Sequence, residues 1–197
     1  MFQTRQRPSF RMRWLMWRAR FSIPTLLART DERKAVAWIA GINGGLAIVV
    51  ISLFAWLSDA PLVFPALGPT AFILFSAPFS PAAAPRSVIL GHWIGMVSGL
   101  AAWHFVTRLS GGAISLQDQG WPLLCSASLA LALASALLLR FSCPHPPACA
   151  SALVVAVGGV TDGLGLLAMA AAVVLLTVQA VCINRIAGVR APIWSPG

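Results

Sequence analysis

The stretch RFSCPHPPACASALVVAVGG, residues 140–159, decides the fold. It is apolar enough for a membrane interior, yet Pro144, Pro146, Pro147 and the titratable ring of His145 stand near its head. Proline lacks a backbone N–H and fixes φ, so one continuous helix cannot run through this point. The residue before a proline is pushed towards extended geometry. A proline in the first helical turn is tolerated, because its missing N–H would be unpaired anyway. The stretch therefore predicts an extended lead-in through His145 and a helix starting near Pro147. A second stretch, PLVFPALGPTAFILFSAP at residues 61–78, has the same form. It predicts Gly68 outside helical geometry and a helix starting near Pro69.

Around these two breaks the chain is membrane-like throughout. Of 197 residues, 58% are hydrophobic and only 10% charged, whereas a soluble domain carries about a quarter charged residues. Segments 36–57, 87–107, 121–139 and 164–183 are apolar on all faces and reach the roughly 20 residues that a bilayer span needs. Trp38 and Trp56 bracket the first, about 27 Å apart along a helix, as an aromatic belt would. The net charge of +9 is concentrated at the start: residues 1–34 hold nine Lys/Arg against Asp31 and Glu32. Nucleic acid is not implied, because this cluster abuts the first span; anionic lipid headgroups are its natural partner. Trp14, Trp17 and Phe21 among the arginines suit a short interfacial helix, with an organelle transit peptide as the alternative.

The order is long, broken, long, then the polar loop LSGGAISLQDQG, then long, broken, long. That is an internal repeat of roughly 85 residues, with Gly68-Pro69-Thr70-Ala71 paralleling Pro146-Pro147-Ala148-Cys149. An extended lead-in plus a helix gives each broken segment about 31–33 Å, enough to cross the hydrocarbon core. Six crossings put Arg86, Arg140, Arg185 and Arg190 on the side of the basic N-terminus, whereas four would move Arg86 and Arg140 to the other, so the positive-inside rule favours six. The expected fold is an all-α membrane protein whose six crossing segments form a 3+3 inverted repeat, the second and fifth interrupted by proline. Residues 1–34 would be a basic cytoplasmic or interfacial segment. Residues 35–185 would be one transmembrane domain with halves 35–108 and 120–185, and 186–197 a short cytoplasmic tail. A bacterial inner membrane, with both termini cytoplasmic, is the expected location, an organelle membrane the alternative.

In such an arrangement the two broken helices enter from opposite sides, and their N-termini meet near the bilayer midplane. Free N–H groups and the positive helix ends would then make an anion site without a buried lysine or arginine. Gly68, Pro69, Pro146, Pro147 and Ala148 would form its backbone. His145 would bind or protonate the anion; the alternative is a histidine bonded to a backbone carbonyl freed by the break. Thr70, directly after the first break, is the best second ligand, against ordinary capping. Asn43 and His92 are weaker candidates, with interhelical hydrogen bonding as their other reading. Gln179 should face the bundle, and His104 beside Trp103 reads as an interfacial anchor. Gly91, Gly95 and Gly99 form a small-residue stripe for close helix packing, within one chain or between subunits of a homo-oligomer.

Enzymatic chemistry has no support: paired carboxylates, a Gly-x-Ser-x-Gly elbow and a phosphate loop are all missing. Cys143, His145 and Cys149 lack the spacing of a metal site, and packing explains them better. No metal and no cofactor is expected.

SCPHPPACASALVVAVGG and VFPALGPTAFILFSAPFSPAAAPRSVILGHWIG together resemble the HPP family of integral membrane proteins. The family takes its name from the tripeptide that stands here as His145-Pro146-Pro147. The likeness runs over residues 36–185. Family members are usually described with four spans, a count that turns on how broken segments are treated. The tripeptide is followed here by Ala148-Cys149-Ala150, where the family more often has Ala-Gly. Some members resemble nitrite transporters of plastids, so the resemblance implies a small anion as substrate. The first functional reading is a transporter or channel for a small monovalent anion such as nitrite. Its rival is a non-transporting membrane scaffold or subunit whose prolines only shape packing.

Overall fold

The computed structural model describes residues 31–117 and 120–195. Residues 1–30, where the interfacial helix is expected, and the polar-loop residue Asp118 lie outside the described residues. Among the described residues the chain is all-helical, in the order long, short, long, long, short, long. The helices are α1 (Glu32–Ser58), α2 (Leu67–Ser76), α3 (Pro85–Ser110), α4 (Trp121–Arg140), α5 (Pro147–Ala156) and α6 (Gly163–Ile186), with a 3₁₀ turn at Pro81–Ala83. Four of them are long and apolar enough to cross a membrane. The two short ones have 10 residues each, about 15 Å at 1.5 Å per residue, so they reach only part of the way alone.

The ends of these helices follow from their sequences. Asp31 caps α1, its carboxylate accepting from the Arg33 N–H at 3.0 Å. Asp162 caps α6 in the same way, accepting from Gly165 N–H at 2.8 Å. Such caps satisfy N–H groups that the helix leaves unpaired. Pro147 is the first residue of α5, and His145 lies outside it, as the tripeptide predicts. The first break differs. α2 begins at Leu67, so Gly68 and Pro69 lie inside its first turn. Glycine has no Cβ to clash with the following proline ring, which frees it from the usual pre-proline restriction. Pro69 occupies a position whose N–H has no partner within the helix.

α3 lies at the centre, against α4, α5 and α6, while α1 packs on α2 and α6. Its closest partner is α5. A Cβ placed on Gly95 would collide with the Ala148 carbonyl oxygen, and one on Gly99 with that of Ala152. On Gly91 it would come within 3.0 Å of the His145 Cβ. The glycine stripe therefore serves packing within the chain, where absent side chains let two backbones touch. Cys149 is turned away from this seam, 3.9 Å from the Ser135 Oγ on α4.

The hydrogen bonds fix which helix ends lie together. The Arg86 N–H donates to Trp194 O at 3.0 Å, and its guanidinium reaches Ser142 O and Phe141 O at 3.1 and 3.3 Å. The start of α3, the end of α4 and the tail after α6 thus share one end of the bundle. At the other end, Ser126 near the start of α4 donates to Ala156 O, the last carbonyl of α5, at 2.7 Å. Gly158 lies against Ile114 O, in the loop between α3 and α4. The second broken segment therefore runs from one end of the bundle to the other. α2 runs in the opposite sense, towards the Arg86 end, where Asn184 near the end of α6 donates to Leu74 O at 3.0 Å. Each short helix ends on carbonyls without intrahelical partners, and a neighbouring long helix satisfies one of them.

Candidate functional site

Where the two short helices begin, four polar side chains meet inside an otherwise apolar bundle. Thr70 stands in the first turns of α2, His92 on α3, His145 just ahead of α5, and Ser151 within α5. Thr70, His145 and Ser151 have no exposed surface, and His92 retains 1%. The sequence places them there for separable reasons. Pro147 sets the start of α5 and leaves His145 just outside the helix. The glycines flanking His92 bring α3 against α5. Ser151 shares a helical face with Ala148 and Ala152, the two residues that meet the glycine stripe.

The contacts form one row. His145 Nδ1–H donates to Ala82 O at 2.8 Å, the carbonyl belonging to the 3₁₀ turn after α2. His145 Nε2 lies 3.2 Å from Thr70 Oγ1, and His92 Nε2 lies 3.0 Å from the same oxygen. The Thr70 hydroxyl is also 2.7 Å from Ala66 O, and His92 Nδ1 is 2.7 Å from Ser151 Oγ. The two imidazoles are 5.0 Å apart, tilted by 60°, and Phe64 stands edge-on to His92 at 6.2 Å. A buried threonine hydroxyl touching two histidines and a carbonyl has one hydrogen and two lone pairs to divide among three contacts.

Of the residues singled out from the sequence, His145, Thr70 and His92 come together, and Ala148 lies directly behind them against Gly95. Pro147 is buried, but Gly68, Pro69 and Pro146 are exposed on the outer surface. Asn43 is half-buried on α1, and no hydrogen bond joins it to the row. The expected convergence of free N–H groups is also absent at the second tip: Ala148 N–H is held by His145 O and Cys149 N–H by Pro146 O, both at 3.0 Å. The prolines remove some donors and these tight turns use others, so side chains rather than backbone form the polar centre. That centre lies about 10 Å along α3 from Pro85, nearer one end of the bundle than the expected midplane. Gly68 lines a different feature, a groove of about 1030 Å³ between α1 and α2, bordered by Ala40, Gly44, Ile48 and Phe72.

Ser151 escaped the sequence reading, although a lone serine on the inner face of a short apolar helix was a legible signal. Asn184 and Ser126 escaped it too, Ser126 hidden within a long span and Asn184 just past the expected end of another. Among the described residues no group of three or more His, Cys, Asp or Glu side chains is placed to hold a metal ion.

All-helical architecture with four long apolar helices defines a polytopic integral membrane protein. Comparison with protein-family models matches residues 29–192 to the HPP transmembrane region, and the chain belongs to the HPP family. No curated protein and no solved structure gives a match.

Proposed function

We propose that the chain is a transporter or channel for a small monovalent anion, nitrite-like in size and charge, built as a 3+3 inverted repeat with both termini cytoplasmic in a bacterial inner membrane. One observation carries the reading: two histidines and two hydroxyls are wholly buried where two oppositely directed short helices begin. Polar and ionisable groups inside a membrane are costly, and they mark pathways far more often than they serve packing. Short helices that begin inside a bundle and run in opposite senses are the transporter device for placing a substrate site in lipid. His145 is the charge partner of the anion, and Thr70 and His92 hold its ring in register. No cofactor and no catalytic step is part of this reading.

The rival, a non-transporting scaffold or subunit, draws on a specific observation as well: the four side chains bond to one another and fill their own space. Transport requires the helices around this row to make room for the anion beside it. The deciding experiment is uptake of nitrite, nitrate, formate and chloride into liposomes carrying the purified protein. The transporter reading expects flux of at least one anion, reduced tenfold or more in His145→Ala and His145→Gln. No flux above protein-free liposomes for any of the four overturns it in favour of the scaffold.

A further inference from the structure

The row of contacts is one hydrogen short. Five contacts run through it: Ala82 O to His145, His145 to Thr70, Thr70 to Ala66 O, Thr70 to His92, and His92 to Ser151. Each needs one hydrogen. Two neutral imidazoles and two hydroxyls bring four. Carbonyl oxygens only accept, so His145 Nδ1 carries its hydrogen towards Ala82 and presents a bare lone pair at Nε2. If Thr70 donates to Ala66 O, its own lone pairs face that nitrogen. If it turns to His145, the Ala66 contact loses its hydrogen. The Thr70–His145 separation of 3.2 Å is the longest of the five, as an unfilled contact should be.

We infer that this cluster is a proton-binding site, and that it takes up one proton together with the anion. The proton joins the lone pair of His145 Nε2 and comes from water. His145 then donates at both nitrogens, Thr70 accepts from both histidines and donates to Ala66 O, and Ser151 donates to His92. All five contacts are filled. A lone imidazolium in this apolar surrounding would be expensive, and the anion's charge balances it, so the pair enters as a neutral unit.

No carboxylate lies on α2, α3, α5 or the 3₁₀ turn to take the anion's place. The other titratable or charged groups near the cluster are already engaged or turned away. The Cys143 thiol donates to Phe141 O, Cys149 faces Ser135, and Arg86 holds the carbonyls after α4. This inference deepens the anion reading and rests on it.

The test uses the full chain with ¹⁵N-labelled histidine in lipid nanodiscs, in a His104→Gln background that leaves only His92 and His145. Sodium nitrite is added at near-neutral pH. One ring per chain is expected to change to the form protonated at both nitrogens, with uptake of close to one proton per chain from weakly buffered solution. Thr70→Ser should keep this uptake and Thr70→Val abolish it. If nitrite shifts the histidine signals while both rings stay singly protonated, the proton inference falls and the anion reading stands. If nitrite leaves the signals unmoved and liposomes take up no anion, both fall.

Discussion

Thr70 Oγ1 lies 3.2 Å from His145 Nε2, although the two residues stand 75 positions apart in the chain. Each belongs to the head of a proline-broken segment, so the contact joins the two breaks to each other. His92 on the central helix closes the junction at 3.0 Å from the same oxygen. Fold and candidate site therefore share one hydroxyl group.

Replacing that hydroxyl by a methyl conserves volume but not chemistry. Thr70→Val leaves the His92 Nε2–H without its acceptor and removes the one hydroxyl hydrogen that Ala66 O and His145 Nε2 share. An unmade buried hydrogen bond costs about 1–3 kcal/mol, so Thr70→Val should lower thermal stability clearly in detergent or nanodiscs. Thr70→Ser should stay within about 1 kcal/mol. A Thr70→Val chain as stable as wild type would show that the two breaks are held together by something else.

The seam between α3 and α5 predicts a second result. Gly95→Ala and Gly99→Ala each drive a methyl into a carbonyl of α5, and overpacking of this kind costs about 1–3 kcal/mol. Gly112→Ala is the control, since nothing lies near its added Cβ. It should change stability by less than about 0.5 kcal/mol. Equal melting behaviour for all three variants would refute the close approach.

The ends of the short helices give a third. Ser126→Ala strips Ala156 O of its donor, and Asn184→Leu does the same to Leu74 O. Each should destabilise by about 1–3 kcal/mol. Combined, the two should add, because they act on different helices at opposite ends of the bundle.

Topology is testable by labelling. In a background with the four native cysteines replaced, Arg140→Cys and Ser195→Cys should react with an impermeant maleimide from one side of the membrane, and Gln117→Cys from the other. All three sites are exposed. Labelling of Arg140→Cys and Gln117→Cys from the same side would mean that α4 does not cross.

The sequence made the long spans legible because hydropathy over 20 residues is an additive property. The breaks were legible because proline acts locally. His145, Thr70 and His92 stood out as polar residues in apolar surroundings. Depth and facing were harder to read. Asn43 and His92 looked alike in the sequence, and only packing of the glycine stripe against α5 brings His92 into the row while Asn43 remains on the far helix. Gly68 was assigned to the break by the rule for residues before proline, which glycine escapes. Ser126 and Asn184 matter only because two short helices end beside them, which is a tertiary fact.

The brevity of α5 also has a consequence for where the helix can reside. At 10 residues, α5 is too short to be threaded into lipid as an independent unit, and its proline-rich head exposes backbone that hydrocarbon rejects. It depends on the long helices for shelter, with the notch beside Gly95 and Gly99 as its berth. A stub of this kind is lodged in protein rather than lipid, held by the long helices that flank it.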